Sequence, residues 1–202
     1  MKKLLCLLLA LALCAALLPC ALAFGDVAPG DYYYDAVDWL SSREITTGTG
    51  GDAFSPDKTC TRAETVTFLW RIMGEPAPAA SDCAFTDVDP DAYYYKPVLW
   101  AVENGITRGT SETAFEPGAD VTRAMAVTFI YRTLKLQGKG YGGDPWAFRL
   151  DFTDAGSVPG WSYEAFCWTT SNGIVRGADG ALLPHATCTR GQLAALLHRA
   201  FA

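Results

Sequence analysis

The chain repeats itself three times, and this periodicity limits its fold more than any other feature. Phe24-Gly25-Asp26-Val27 recurs as Phe85-Thr86-Asp87-Val88 and as Phe152-Thr153-Asp154-Ala155. In each copy a Thr-Arg step follows the Phe by 37 residues, at Thr61-Arg62, Thr122-Arg123 and Thr189-Arg190. Matched points lie between: Trp39, Trp100 and Trp168; Ile45, Ile106 and Ile174; Gly48, Gly109 and Gly177. Phe54-x-Pro56 and Phe115-x-Pro117 are answered by Leu182-x-Pro184. A unit of about 50 residues buries too little apolar surface to stand alone, so the copies must pack on one another. The units are expected at 24–74, 85–136 and 152–202. A Pro/Ala linker, 75–84, and a Gly-rich one, 137–151, separate them.

Residues 1–23 precede the first unit and read as an export signal. Met1-Lys2-Lys3 is positive, Leu4 to Leu18 is a Leu/Ala/Cys run, and Ala21-Leu22-Ala23 offers the small-x-small step of a cleavage site. An uncleaved anchor is the alternative. Cleavage after Ala23 would remove Lys2 and Lys3, leaving 14 basic against 22 acidic residues, a net charge of −8. That acidity argues against nucleic acid as a partner. No later stretch is apolar enough to span a membrane, so the expected product is secreted into a compartment that permits disulfides.

Each unit reads as helix, loop, helix, which makes the fold all-α. The first helix carries the Trp, over 35–42, 96–104 and 163–172. Gly105 and Gly173 suit its C-terminal cap; Glu44 replaces them in unit one. The second helix starts at each Thr. Thr61 with Glu64, and Thr189 with Gln192, can form capping boxes; Met125 leaves Thr122 alone. Val66, Leu69 and Met73 match Val127, Ile130 and Leu134, and Ala194, Leu197 and Phe201, as one apolar stripe. Packing those stripes predicts a pseudo-threefold helical assembly.

These motifs, in this order, resemble the S-layer homology (SLH) domain. Unit two carries Phe85-Thr86-Asp87-Val88, Trp100, Gly105-Ile106-Thr107-Arg108-Gly109 and Phe115-Glu116-Pro117; unit one adds Thr61-Arg62-Ala63-Glu64. The resemblance covers essentially the whole chain after residue 23. It implies a three-unit spindle around a central three-helix bundle, with ligand grooves between units. It also implies non-covalent attachment to bacterial cell-wall polysaccharide, often one bearing pyruvylated sugars. The Thr-Arg-Ala-Glu motif is intact only in unit one. Units two and three read Thr122-Arg123-Ala124-Met125 and Thr189-Arg190-Gly191-Gln192.

The Thr-Arg step points to an anion independently. Arg62, Arg123 and Arg190 each fall at the first helical position, where the macrodipole disfavours a cation. Free N–H groups of a helix start plus an Arg fork suit a carboxylate. The alternative is that each Arg pairs with a nearby acid and fixes one unit to the next. Tyr32-Tyr33-Tyr34 and Tyr93-Tyr94-Tyr95, with Trp161 and Tyr163, add aromatic faces that can stack on sugars. Tyr33 and Tyr94 are the candidates from these clusters. Trp39, Trp100 and Trp168 are candidates too, although mid-helix placement favours the core. Gly48, Gly109 and Gly177 either admit a sugar or allow positive φ. Asp26, Asp87 and Asp154 read as turn residues.

Nothing points to catalysis or cofactors. His185 and His198 fill slots held elsewhere by Asp57 and Gly118, and by Trp70 and Tyr131. Asp87-x-Asp89-x-Asp91 starts like a calcium loop but has Ala92 where Gly is needed. The cysteines form no CxxC pair, so no metal site is expected. The disulfides expected are Cys60–Cys83 and Cys167–Cys188, out of three possible pairings; buried thiols are the alternative. The expected function is wall anchoring with no enzyme activity. An adaptor whose degenerate repeats hold another exported protein is the second reading.

Overall fold

The computed structural model describes residues 24–141 and 149–202. The expected export segment, residues 1–23, lies outside the described residues. Among the described residues six α-helices follow one another: α1 Tyr34–Ser42, α2 Arg62–Ile72, α3 Tyr95–Glu103, α4 Arg123–Leu136, α5 Gly160–Ser171 and α6 Arg190–Phe201. Among the described residues, β-structure is limited to isolated bridges. The fold is therefore all-α, two helices per repeat. No described helix is long and apolar enough to cross a membrane.

The first helices stop where the left-handed region begins. Gly105 and Gly173 have φ of 67° and 71°, and Glu44 takes the same turn at 59°. The second helices start on Thr caps. Thr61 and Thr189 form reciprocal boxes with Glu64 and Gln192, whereas Thr122 accepts only the Met125 N–H. Most of the apolar stripe is core: Val66, Leu69, Val127, Ile130, Leu134, Ala194 and Leu197 are buried, while Met73 and Phe201 at the helix ends are half-buried against it.

The sequence repeat is not the packing unit. Each second helix packs most closely on the first helix of the next repeat, α2 on α3 and α4 on α5. The last pair, α6 on α1, joins the two ends of the described chain and closes a ring. Inside that ring α4 packs on both α2 and α6. The residues before the Thr caps meet on the pseudo-threefold axis. Cys60 N–H donates to the Cys188 carbonyl, Cys188 N–H to Val121 and Val121 N–H to Cys60, each at 2.9 Å.

This axis corrects the cysteine expectation. Among the described residues all four cysteines are thiols, so neither Cys60–Cys83 nor Cys167–Cys188 is formed. Cys60 and Cys188 are fixed opposite one another in the buried ring, while Cys83 sits half-buried in the linker. Burial pushes the Cys60 thiol up to about 12 and that of Cys188 to about 11, so both stay protonated.

The loops are held by the repeated Asp. Asp26 accepts the Phe54 and Ser55 N–H groups at 2.8 and 2.7 Å. Asp87 does the same for Phe115 and Glu116, and Asp154 for Leu182 and Leu183. The second residue of each pair, Ser55, Glu116 or Leu183, has φ between 54° and 59°. The carboxylate thus holds a backbone conformation that side chains other than glycine disfavour.

Candidate functional site

Arg62, Arg123 and Arg190 turn out to be clamps before anything else. Each begins one unit's second helix and reaches into the next unit. Arg62 Nε donates to the Phe115 carbonyl at 2.8 Å, Arg123 Nε to Leu182 at 2.9 Å and Arg190 Nε to Phe54 at 2.9 Å. Two are sandwiched by aromatic rings, Arg62 between Phe115 and Phe129, Arg190 between Phe54 and Phe68. They are 4% and 3% exposed. Arg123 has Leu182 and Leu196 at those positions and is only half-buried.

The helix starts offer no free N–H groups, which corrects half of the anion argument. In α2, the Arg62 N–H donates to the Ala119 carbonyl and the Ala63 N–H to Pro117. Thr61 takes the Glu64 N–H through its hydroxyl and the Thr65 N–H through its carbonyl. The α4 start is filled likewise by Ala186 and Pro184, and the α6 start by Lys58 and Pro56. These donors that a helix leaves unpaired are spent on joining units.

What remains open are two grooves, one beside Arg190 and one beside Arg123. The unit-one groove, about 410 Å³, is walled by the Thr46–Thr49 loop, Glu64, Phe68 and Arg71. Arg190 enters it from unit three and Tyr93 from unit two. The unit-three groove, about 430 Å³, has the same plan: Arg176, Gly177, Gln192 and Arg199 from unit three, Arg123 from unit two and Tyr32 from unit one. Every groove so described draws on all three units. By register, Trp161 takes the aromatic place beside Arg62. Tyr32, Tyr93 and Trp161 are 63%, 61% and 54% exposed.

The unit-one groove carries an acid. Glu64 Oε1 lies 3.1 Å from Lys58 Nζ and 3.3 Å from Arg190 Nη1, and Oε2 accepts the Thr61 N–H at 2.9 Å. Burial pushes this carboxyl up, but the Thr61 N–H and the two cations outweigh it and hold it below its ordinary value. The unit-three groove lacks that acid and has three guanidinium groups. Arg71, Arg132 and Arg199 form another repeated contact, donating to the Ile45, Ile106 and Ile174 carbonyls at 2.9, 3.0 and 3.2 Å. The sequence alone, in which they sit near helix C-termini where the dipole favours cations, does not show this contact.

Other candidates fall elsewhere. Tyr33 and Tyr94 are half-buried, edge-on to the exposed Tyr32 and Tyr93 at 4.9 and 5.1 Å between centroids. Trp100 is buried in the core, whereas Trp39 and Trp168 are half-buried, Trp39 meeting His198 and Trp168 meeting Tyr131. Gly48 and Gly177 have φ of 78° and 72° and line the two grooves. An added Cβ would strike Phe24 at Gly48, Phe85 at Gly109 and Phe152 at Gly177. Thr61, Thr122 and Thr189 are occupied as caps. Among the described residues no group of three or more His, Cys, Asp or Glu could hold a metal ion.

The S-layer homology domain matches residues 23–66, 84–126 and 151–194, one match per repeat. The chain belongs to the SLH domain family. The surface-layer 125 kDa protein of Lysinibacillus sphaericus is 31% identical over 172 residues, 83% of this chain and 14% of that protein. The S-layer protein sap of Bacillus anthracis is 27% identical over 172 residues, 85% of this chain and 20% of that protein. An endoglucanase of Bacillus sp. (strain KSM-635) is 27% identical over 185 residues, 88% of this chain and 18% of the enzyme. The chain spans a fifth or less of the length of these relatives. SLH membership, with surface-layer relatives, makes it a secreted cell-surface protein with a wall-anchoring module.

Proposed function

We propose that the protein holds to an acidic secondary polymer of the bacterial cell wall through its inter-repeat grooves. The observation that carries this reading is the shared plan of the unit-one and unit-three grooves. Each sets an arginine and an exposed aromatic against a glycine loop, contributed by three different units. The aromatic face suits the apolar face of a sugar ring, and the guanidinium suits an acidic substituent such as a pyruvyl ketal carboxylate. At Gly48 and Gly177 the missing Cβ makes room for Phe24 and Phe152, so these glycines seat the loop that walls each groove.

The test is co-sedimentation with purified wall that retains its secondary polymer. Tyr32→Ala with Tyr93→Ala removes two exposed rings and leaves the core intact, so it should release the protein from the pellet. Retention of this double variant at wild-type level would reject the groove reading. Arg62→Ala is a poorer probe because Arg62 is a buried clamp.

The adaptor reading draws on the surroundings of Arg62, where Met125 stands in the place of Glu64. An apolar groove residue suits a protein partner better than a sugar. Pull-down from exported proteins, with and without wall glycan, separates the two readings.

A further inference from the structure

The unit-one and unit-three grooves differ in charge in a coordinated way. Unit one has Lys58, Glu64 and Thr47; unit three has Ala186, Gln192 and Arg176 at the same register positions. In the unit-one groove Glu64 engages both Lys58 and Arg190. In the unit-three groove Arg123, Arg176 and Arg199 converge on one cavity of about 430 Å³ whose lining holds no carboxylate. Each gives an N–H to a carbonyl, of Leu182, Gly173 and Ile174 respectively, and a guanidinium has five N–H groups. The acid that Arg123 influences is Asp154, and both its oxygens are taken by the Leu182 and Leu183 N–H groups. Three like charges held together repel one another. Burial and the neighbouring Arg176 and Arg123 depress the Arg199 guanidinium, with only the Tyr32 phenol acting the other way.

We propose that the unit-three groove takes a doubly charged group, a phosphate monoester on a sugar, where the unit-one groove takes a single carboxylate. Three forks can surround a phosphoryl dianion, which offers three acceptor oxygens, while one carboxylate occupies a single fork. Tyr32, exposed at the rim, faces the sugar ring. This rests on the reading of the grooves as anionic-saccharide sites, and it divides their labour.

The experiment uses residues 24–202 at fixed ionic strength, followed by the arginine Nε–H resonances in NMR titration. The probes are glucose 6-phosphate, inorganic phosphate, glucuronate and glucose. The expected result is that glucose 6-phosphate shifts Arg176 and Arg199 and binds at least tenfold more tightly than glucuronate. Arg176→Thr, which copies unit one, should abolish that preference, and Gln192→Glu should weaken it. Inorganic phosphate binding as tightly as glucose 6-phosphate would overturn the sugar part of the proposal. Equal affinity for glucuronate and glucose 6-phosphate, or an unchanged preference in Arg176→Thr, would overturn the dianion assignment. Wall co-sedimentation by the wild type reads out separately. Pelleting without a phosphate preference rejects this inference alone, and a phosphate preference without pelleting rejects the wall reading alone.

Discussion

The grooves of units one and three occupy equivalent places in the fold, yet they spend their arginines differently. Arg190 is buried between two phenylalanines and tied to Glu64. Arg123 makes the same Nε bond to the next unit but has leucine on both sides and no acid. Both guanidinium groups line a cavity, but one is paired with an acid and the other is not. A repeated residue therefore keeps its backbone task while its remaining chemistry drifts with its neighbours.

The largest expected effect breaks this contrast through stability. Arg190→Ala takes the buried one of two cations from Glu64 and empties the Phe54–Phe68 sandwich that fastens unit three to unit one. Removing one partner of a buried pair costs about 3–5 kcal/mol, which urea unfolding would read. Arg123→Ala should cost about 1 kcal/mol, the value of one ordinary hydrogen bond. Equal losses would erase the distinction.

Acid titration gives the next largest effect. Glu64 is held below its unfolded value, so its stabilising contribution is fully present above the unfolded carboxyl pKa of about 4.3 and is lost as pH falls through the lower folded value. Asp87 and Asp154 behave alike: burial raises them, but the N–H pairs they accept outweigh burial and leave them depressed. Below about pH 4 the wild type should lose stability on these counts. Glu64→Gln should be less stable at neutral pH and show a shallower acid slope. An unchanged slope in this variant would mean that Glu64 contributes no linkage.

Groove charge comes next. Gln192→Glu places an acid among Arg123, Arg176 and Arg199 and should weaken anion binding about fivefold, for ~1 kcal/mol per unit charge at ~4 Å in water. Isothermal titration would check it. The smallest effect concerns the caps. Thr61→Ala and Thr122→Ala should each cost about 1 kcal/mol. Thr61 should exceed Thr122 by a few tenths, because only Thr61 belongs to a reciprocal box.

The repeat, the two helices per unit, the Thr caps and the apolar stripe were all legible in the sequence, because period and capping are local properties. The pairing of helices across repeats was not, since the same stripe serves a partner in its own unit or in the next. The clamp role of Arg62 and Arg190 was open for a similar reason. An arginine at a helix start reads alike whether it meets a ligand or the Phe54 and Phe115 carbonyls. The exposed aromatic could be narrowed to a Tyr cluster, but Tyr32 and Tyr33 separate only once Tyr33 packs against Gly191. Trp161 had a usable signal: allowing for the one-residue insertion before Trp168, it shares the register of Tyr32 and Tyr93. The cysteines misled because adjacency across the threefold axis leaves no trace in linear spacing.

The most direct test of the central claim is sedimentation of residues 24–202 with two preparations of the same wall, one retaining the acidic substituents of its secondary polymer and one stripped of them. Groove binding predicts pelleting with the first and release from the second. Equal pelleting with both would contradict it.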